Sequence, residues 1–166
     1  MPTYKIQRGK VTVTARSSIH DTKTVWSKVA GTIDADPDAL GGASAQLTVD
    51  MRAFDAGDFM KNWKLKSELE PDKHPTASFR LSRVEDPREP TAGAFSGTAI
   101  GQLAWRDKTC DVKARGTAKL DRRSLEAQAT FELNVRDLGV APPKILMFKV
   151  EDVVTVQVEL YALPTG

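Results

Sequence analysis

The chain has 166 residues, enough for one domain with a hydrophobic core. Its 24 basic and 22 acidic side chains leave a net charge of +2 with no clustered basic face, which excludes the usual nucleic-acid binder. A hydrophobic share of 40% suits a sheet wetted on one side, no run approaches the ~18 apolar residues of a membrane-spanning helix, and the single Cys110 excludes an internal disulfide.

The opening residues Met1-Pro2-Thr3-Tyr4-Lys5-Ile6 contain no apolar signal core, so the chain as written reads as cytoplasmic. A leader removed beforehand would make it periplasmic or secreted instead. Val11, Val13 and Ala15 then alternate with Thr12, Thr14 and Arg16, the period of a strand with one dry and one wet face. A weaker second run, residues 26–35, holds Val29, Gly31 and Ile33. Asp36-Pro37-Asp38 and Gly41-Gly42 mark a loop. In the third run Ala45, Leu47, Val49 and Met51 alternate with Gln46, Thr48, Asp50 and Arg52.

Residues 58–69 break the pattern. They lack alternation and are rich in helix formers, and Asp58 is placed to cap a short helix. Phe59, Met60 and Trp63 fall on one side of it, Leu65 and Leu69 on another. Trp63 is expected to be the anchor that covers an open end of the sheet. Glu70-Pro71-Asp72-Lys73-His74-Pro75 stops the helix. Residues 77–84, with Phe79 and Leu81, form the fourth run, and residues 85–93, with Pro87 and Pro90, read as a loop.

The fifth run, residues 95–105, holds Gly97, Ile100, Gly101 and Leu103. The sixth, residues 110–120, holds Val112, Ala114, Gly116 and Ala118, with Cys110 as a small buried or half-buried strand residue. Asp107-Lys108 reads as the tight turn between them, and Asp121-Arg122-Arg123-Ser124 as the next. Glycines inside strands mark bends or bulges of the kind that closing a barrel requires. The seventh run is the longest: Leu125, Ala127, Ala129, Phe131, Leu133 and Val135 alternate with polar residues. An irregular stretch, residues 137–147, carries Pro142-Pro143 and leads to Val154, Val156, Val158 and Leu160 in the eighth.

Eight alternating runs with short turns predict an all-β chain: one domain over residues 1–166, an eight-stranded antiparallel barrel with a short helix between strands three and four. Such a barrel is just wide enough for packed side chains or for one small ligand. Periodicity alone leaves both readings open.

The catalytic inventory is thin. No nucleophile elbow, P-loop, dinucleotide-binding glycine pattern or paired-histidine zinc helix is present. His20 beside Asp21, and His74 near Asp72, lack a convincing third metal ligand and read as turn and loop residues. Asp50, Asp55 and Asp58 form a loose carboxylate group that reads as surface. No acid–base pair stands out, so neither an enzyme, a metal nor a cofactor is expected.

Several pieces carry a family resemblance. Arg16-Ser17-Ser18-Ile19-His20-Asp21 resembles a "(T/S)S(L/I)HD" element after a first strand. Gly31-Thr32-Ile33 resembles a G-x-I in the second. Lys61-Asn62-Trp63-Lys64-Leu65, then Leu69 with residues 70–75 and Phe79, resembles a helical insert followed by "L…YP-x-I-x-F". Gly101-Gln102-Leu103-Ala104-Trp105-Arg106 resembles "G-x-L-T-I-R-G", Arg136-Asp137-Leu138-Gly139-Val140 resembles "R-x-D-F-G-I", and residues 150–160 resemble a closing "v-x-D-x-V-x-V-x-V" strand. In this order, across residues 4–162, the chain resembles the YceI-like family of lipocalin-like barrels, closest to its "SSLHD" branch. Ser17 stands where the commoner branch has histidine, His74 replaces an aromatic residue, and Asp107 replaces the hairpin glycine.

The resemblance implies non-catalytic binding or carriage of a long apolar or amphiphilic ligand, such as a polyisoprenoid, a quinone or a fatty amphiphile, and a role linked to transport or stress. The expected lining is Val11, Val13, Ala15, Leu47, Val49, Met51, Trp63, Phe79, Leu81, Ala127, Ala129, Phe131, Leu133, Val156 and Val158. Small residues among the inward positions (Ala15, Ala45, Ala114, Ala127, Ala129) would leave a channel. The polar head is expected at the rim, near the helix or residues 137–147. The alternative is a structural or protein-interaction barrel with a filled core and no ligand. A homodimer stays open as an assembly state.

Overall fold

A computed structural model describes residues 2–16, 21–139 and 151–165. The strands are β1 (Thr3–Arg16), β2 (Asp21–Trp26), β3 (Val29–Asp34), β4 (Ser44–Asp50), β5 (Phe54–Asp55), β6 (Thr76–Thr91), β7 (Ala94–Trp105), β8 (Lys108–Leu120), β9 (Leu125–Asn134) and β10 (Val153–Pro164). One α-helix, α1 (Phe59–Leu69), lies between β5 and β6.

All strand pairings are antiparallel, and β10 pairs with β1 to close the sheet on itself. The ring holds eight strand positions. β2 and β3 lie on the same edge of β1: Val11 to Arg16 pair with β2, and Thr3 to Lys5 with β3, so the two are one strand interrupted at Ser27-Lys28. β5 likewise continues the line of β4, pairing with β2 at Val25↔Asp55 and Trp26↔Phe54. The eight-stranded barrel read from the alternation is therefore the observed architecture, with the helix after its third strand.

Three local expectations need correction. Residues 85–93 are not a loop: β6 runs on to Thr91, and the turn is only Ala92-Gly93. β4 pairs with β6 only from Thr76 to Leu81, so Pro87 and Pro90 lie where that edge of β6 has no partner, and the register against β7 shifts around them. The turn between β7 and β8 is Arg106-Asp107 rather than Asp107-Lys108, because Lys108 already pairs with Trp105. Both turn residues have positive φ, 56° and 61°, which no glycine or asparagine announces here. Trp63 is not a buried anchor: it is 67% exposed.

The two ends of the barrel differ. One is packed: Tyr4, Ile6, Ile33, Ala43, Phe95, Leu120, Leu125 and Ala162 form a buried cluster. There the Tyr4 hydroxyl donates to the Asp121 carbonyl at 2.9 Å, and burial followed by the Asp121 charge pushes its pKa up. α1 sits at the other end, with Leu69 packed beside Ala77, Trp105 and Leu138. Asp58 caps the helix by accepting from the Lys61 N–H at 2.8 Å, and Glu70 ends it with φ of 49°.

Asn62 pins α1 to β5. Its side-chain oxygen accepts from the Ala56 N–H at 2.6 Å, and its amide donates to Asp55 at 3.4 Å. At the far end of the helix, Arg106 donates to the Leu69 carbonyl at 3.0 Å, which ties α1 to the β7–β8 turn.

Candidate ligand-binding cavity

Antiparallel register places the inward residues of neighbouring strands in rows, and the rows are uneven in size. On one side of the barrel the pairs are small: Ala99↔Ala114, Gly97↔Gly116, Gly116↔Ala129 and Ala118↔Ala127. On the other they are large, as in Leu47↔Phe79 and Phe79↔Leu103. With these rows in place, a cavity of about 370 Å³ remains inside the barrel.

Phe79 is one of the bulky groups that face this space, yet its ring lies close over the wall. A Cβ placed on Gly101 would come within 2.6 Å of Phe79 Cζ, and within 2.3 Å of the Arg80 carbonyl. Gly101 thus gives the ring a seat against the sheet and keeps it out of the middle. Gly31, at φ of 141°, serves β3 in a related way: a Cβ there would meet the Gln46 carbonyl at 2.0 Å.

The lining is almost wholly apolar. From the residues expected at the sequence level, β1 contributes Val11, Val13 and Ala15; β4 contributes Leu47 and Val49, with Met51 just after it; β6 contributes Phe79 and Leu81. β9 contributes Ala127, Ala129, Phe131 and Leu133, and β10 contributes Val156 and Val158. Trp63 is the exception. It is absent from the lining, and its helix presents Leu65 and Leu69 to the cavity instead. The two faces of α1 are distinct, and the leucine face rather than the larger indole is the one turned inward.

The cavity also has lining residues outside the expected set. Trp26, Ala99, Val112, Ala118, Leu138 and Val154 also border the space. Period-2 alternation marks Val112 and Val154, whereas the glycines in β7 dilute it around Ala99. Ser96, Thr117 and Gln128 border the cavity where the wall is made of Gly97, Gly116 and Ala127.

Thr24 is the one buried polar side chain among the described residues. It is 5% exposed and lies in the lining on the same strand as Trp26. The indoles at this end are held by carbonyls: Trp105 donates to His74 at 2.9 Å and Trp26 to Met51 at 3.4 Å.

The remaining polar candidates take up local work. Asp50 holds Arg52 through two hydrogen bonds of 3.1 and 3.2 Å, Asp55 accepts from the Gly57 N–H at 2.9 Å, and Asp58 is the helix cap. The half-buried His74 meets Trp105 edge to face at 6.3 Å. His20 lies outside the described residues, as does most of the 137–147 stretch. Among the described residues no group of three or more His, Cys, Asp or Glu side chains is placed to hold a metal ion. Burial, then Asp137 and Asp111, pushes the Cys110 thiol up, away from the reactive thiolate.

Residues 4–162 match the YceI-like domain. The chain belongs to the YceI-like family. Solved structures similar to this YceI-like chain include Burkholderia cenocepacia BcnA, with a TM-score of 0.74 at 21% identity over 92% of this chain and 95% of that one. A polyisoprenoid-binding domain from Saccharophagus degradans, implicated in plant cell wall breakdown, gives a TM-score of 0.75 at 12% identity over 99% of each chain. The Campylobacter jejuni YCEI protein gives 0.71 at 14% identity, over 90% of this chain and 88% of that one. No curated protein matches the chain.

The family-like elements have visible structural work in this YceI-like barrel. Arg136 pairs with Asp152 at 2.8 Å, Leu138 is buried at the α1 end of the cavity, and Gly139 closes a short 3-10 turn with φ of 75°. In the helical insert Asn62 anchors and Leu65 lines. Gly101 seats Phe79.

Proposed function

We propose that the protein binds and carries, without chemical turnover, one long apolar or amphiphilic molecule, its tail held in the barrel. A polyisoprenoid, a quinone and a fatty amphiphile all fit this description. The observation that carries the reading is the cavity itself: about 370 Å³, inside a closed sheet and lined by aliphatic and aromatic side chains. That volume falls within the range of roughly 300–1,000 Å³ usual for small-molecule sites. The family and the similar polyisoprenoid-binding domain point to the same ligand class.

Burial supplies the affinity. Each CH₂ moved out of water gains about 0.8 kcal/mol, so a tail of about ten carbons gains roughly 8 kcal/mol before the cost of association is met. A lining with almost no polar groups provides little orientation or chemistry, which suits a carrier better than a catalyst. Thr24, buried in the lining beside Trp26, is the polar contact offered to a head group at the α1 end. A filled structural barrel is the alternative, and a cavity of this size weighs against it.

Native mass spectrometry of the purified protein, with solvent extraction of whatever it carries, tests the reading. A bound lipid-like mass, or saturable one-to-one uptake of a labelled polyprenol by the emptied protein, is expected. Absence of both would overturn the carrier reading.

A further inference from the structure

We propose that the Phe59–Met60–Trp63 face of α1 docks the protein onto an anionic lipid bilayer. The helix divides the cavity from the outside. Leu65 and Leu69 face the cavity, while Phe59, Met60 and Trp63 are 83%, 75% and 67% exposed. Phe59 and Trp63 are i, i+4 neighbours, and Met60 and Ser67 complete the same side of the helix. Large apolar groups rarely stand in water together without a partner.

The placement of the apolar surface is as telling as its size. Among the described residues one other large hydrophobic side chain is exposed, Val153, at the start of β10 and opposite Asn134. That is the same end of the barrel, where β1 finishes at Arg16 and α1 sits. The opposite end shows no such groups among the described residues.

Charge selects the partner. α1 carries Lys61, Lys64 and Lys66 with Glu68, and the acids Asp58 and Glu70 stand at its two caps, Glu70 paired with Lys73. At 3.6 residues per turn, Lys66 borders the apolar side on one flank and Lys64 on the other. Lys64 reaches Glu68 at 3.9 Å and Lys61 reaches Asp58 at 4.0 Å, while Lys66 has no ion pair among the described residues. Bulky apolar groups between flanking lysines are the composition of a helix that lies in a membrane interface, its rings among the acyl chains and its ammonium groups at the phosphates. The purpose rests on the carrier reading: a ligand nearly insoluble in water is collected from, or returned to, a membrane. The docking itself does not depend on it.

The test uses the whole protein and vesicles of phosphatidylcholine, alone or with phosphatidylglycerol. Trp26 and Trp105 are each 6% exposed, so Trp63 is the indole that reports on the surface. Its emission is expected to shift to the blue and to be quenched by brominated acyl chains when anionic vesicles are added. Phe59→Ser/Trp63→Ser, both at exposed positions, should weaken co-sedimentation with anionic vesicles by at least about tenfold and leave polyprenol uptake from detergent micelles intact. Lys64→Glu/Lys66→Glu should remove the preference for anionic over neutral vesicles. Unchanged emission, or equal co-sedimentation of the parent and the serine variant, overturns the proposal. So does a Trp63 already shielded from aqueous quenchers without lipid, which would mean that the chain covers its own helix. A dimer abolished by the serine substitutions overturns it too, by making a second copy the occupant. A parent that docks on vesicles but takes up no polyprenol supports the docking face and overturns the carrier reading alone.

Discussion

Ala127 lines the cavity between Ala118, its partner in β8, and Leu160, its partner in β10. A phenyl ring placed there takes up cavity volume beside Leu160. Ala127→Phe is therefore expected to block polyprenol uptake while changing stability by less than about 1 kcal/mol. In a filled core the same change would overpack the interior and cost roughly 1–3 kcal/mol. Titration and urea denaturation of one variant separate the two outcomes. Trp63 gives the opposite lesson. With two thirds of its surface in water, Trp63→Ala should shift stability by no more than about 0.5 kcal/mol. The 6% exposed Trp26 should cost roughly 3–5 kcal/mol on the same change, measured by denaturant unfolding. The sequence showed two apolar sides on α1 and could not say which faced inward, because the aromatic side and the leucine side are equally amphipathic. Size favoured Trp63, whereas the structure turns Leu65 and Leu69 to the cavity.

Strands announced themselves where alternation was clean, as in β9 and β10, and α1 announced itself by the lack of alternation after Asp58. The extension of β6 through Pro87 and Pro90 was hidden because proline normally ends a strand. Only the missing partner on one edge makes it tolerable, and that is a property of the assembled sheet. The β7–β8 turn was misplaced by one residue for a related reason. Arg106 and Asp107 occupy the left-handed region without glycine, so no local signal fixed the register. Asp107→Gly relieves a strained position at a turn of two residues and is expected to stabilise the protein by about 0.5–1 kcal/mol, read as a rise in the urea midpoint with unchanged slope. Arg106 is less free to change, since it also holds the end of α1 through the Leu69 carbonyl.

At the scale of the whole barrel, the number of strands was legible and the emptiness of the centre was not. Eight alternating runs define a ring, but its interior depends on which strands become neighbours and on Phe79 lying against Gly101. Stability as a function of pH is also a property of the whole molecule. Asp50 is held below the ordinary carboxylate range by hydrogen bonds from Arg52, Glu70 by the Lys73 ammonium, and Asp121 by the N–H groups of Arg123 and Ser124. Each lowered value adds stability that is present above the ordinary range and lost as pH falls through it toward the folded values. Tyr4 and Cys110 are raised, so their contribution is present below their ordinary values and lost as pH rises toward the folded ones. Urea midpoints should therefore form a plateau near neutrality that declines on both sides. A midpoint that kept rising into acid would contradict the assignment of these carboxylates.

The seam between β1 and β10 has a consequence for how the barrel is made. Tyr4 pairs with Pro164, Ile6 with Ala162 and Val13 with Val156, so the contacts that close the ring join residues nearly the whole chain apart. Of the barrel's strands β1 emerges first during synthesis and waits for its final neighbour, β10, until the other strands have been translated. Until then the sheet is an open, curved ribbon with two unsatisfied edges and one greasy face, the form most prone to pair with another nascent chain. Closure of that seam, rather than formation of any hairpin, is the step expected to govern the folding rate.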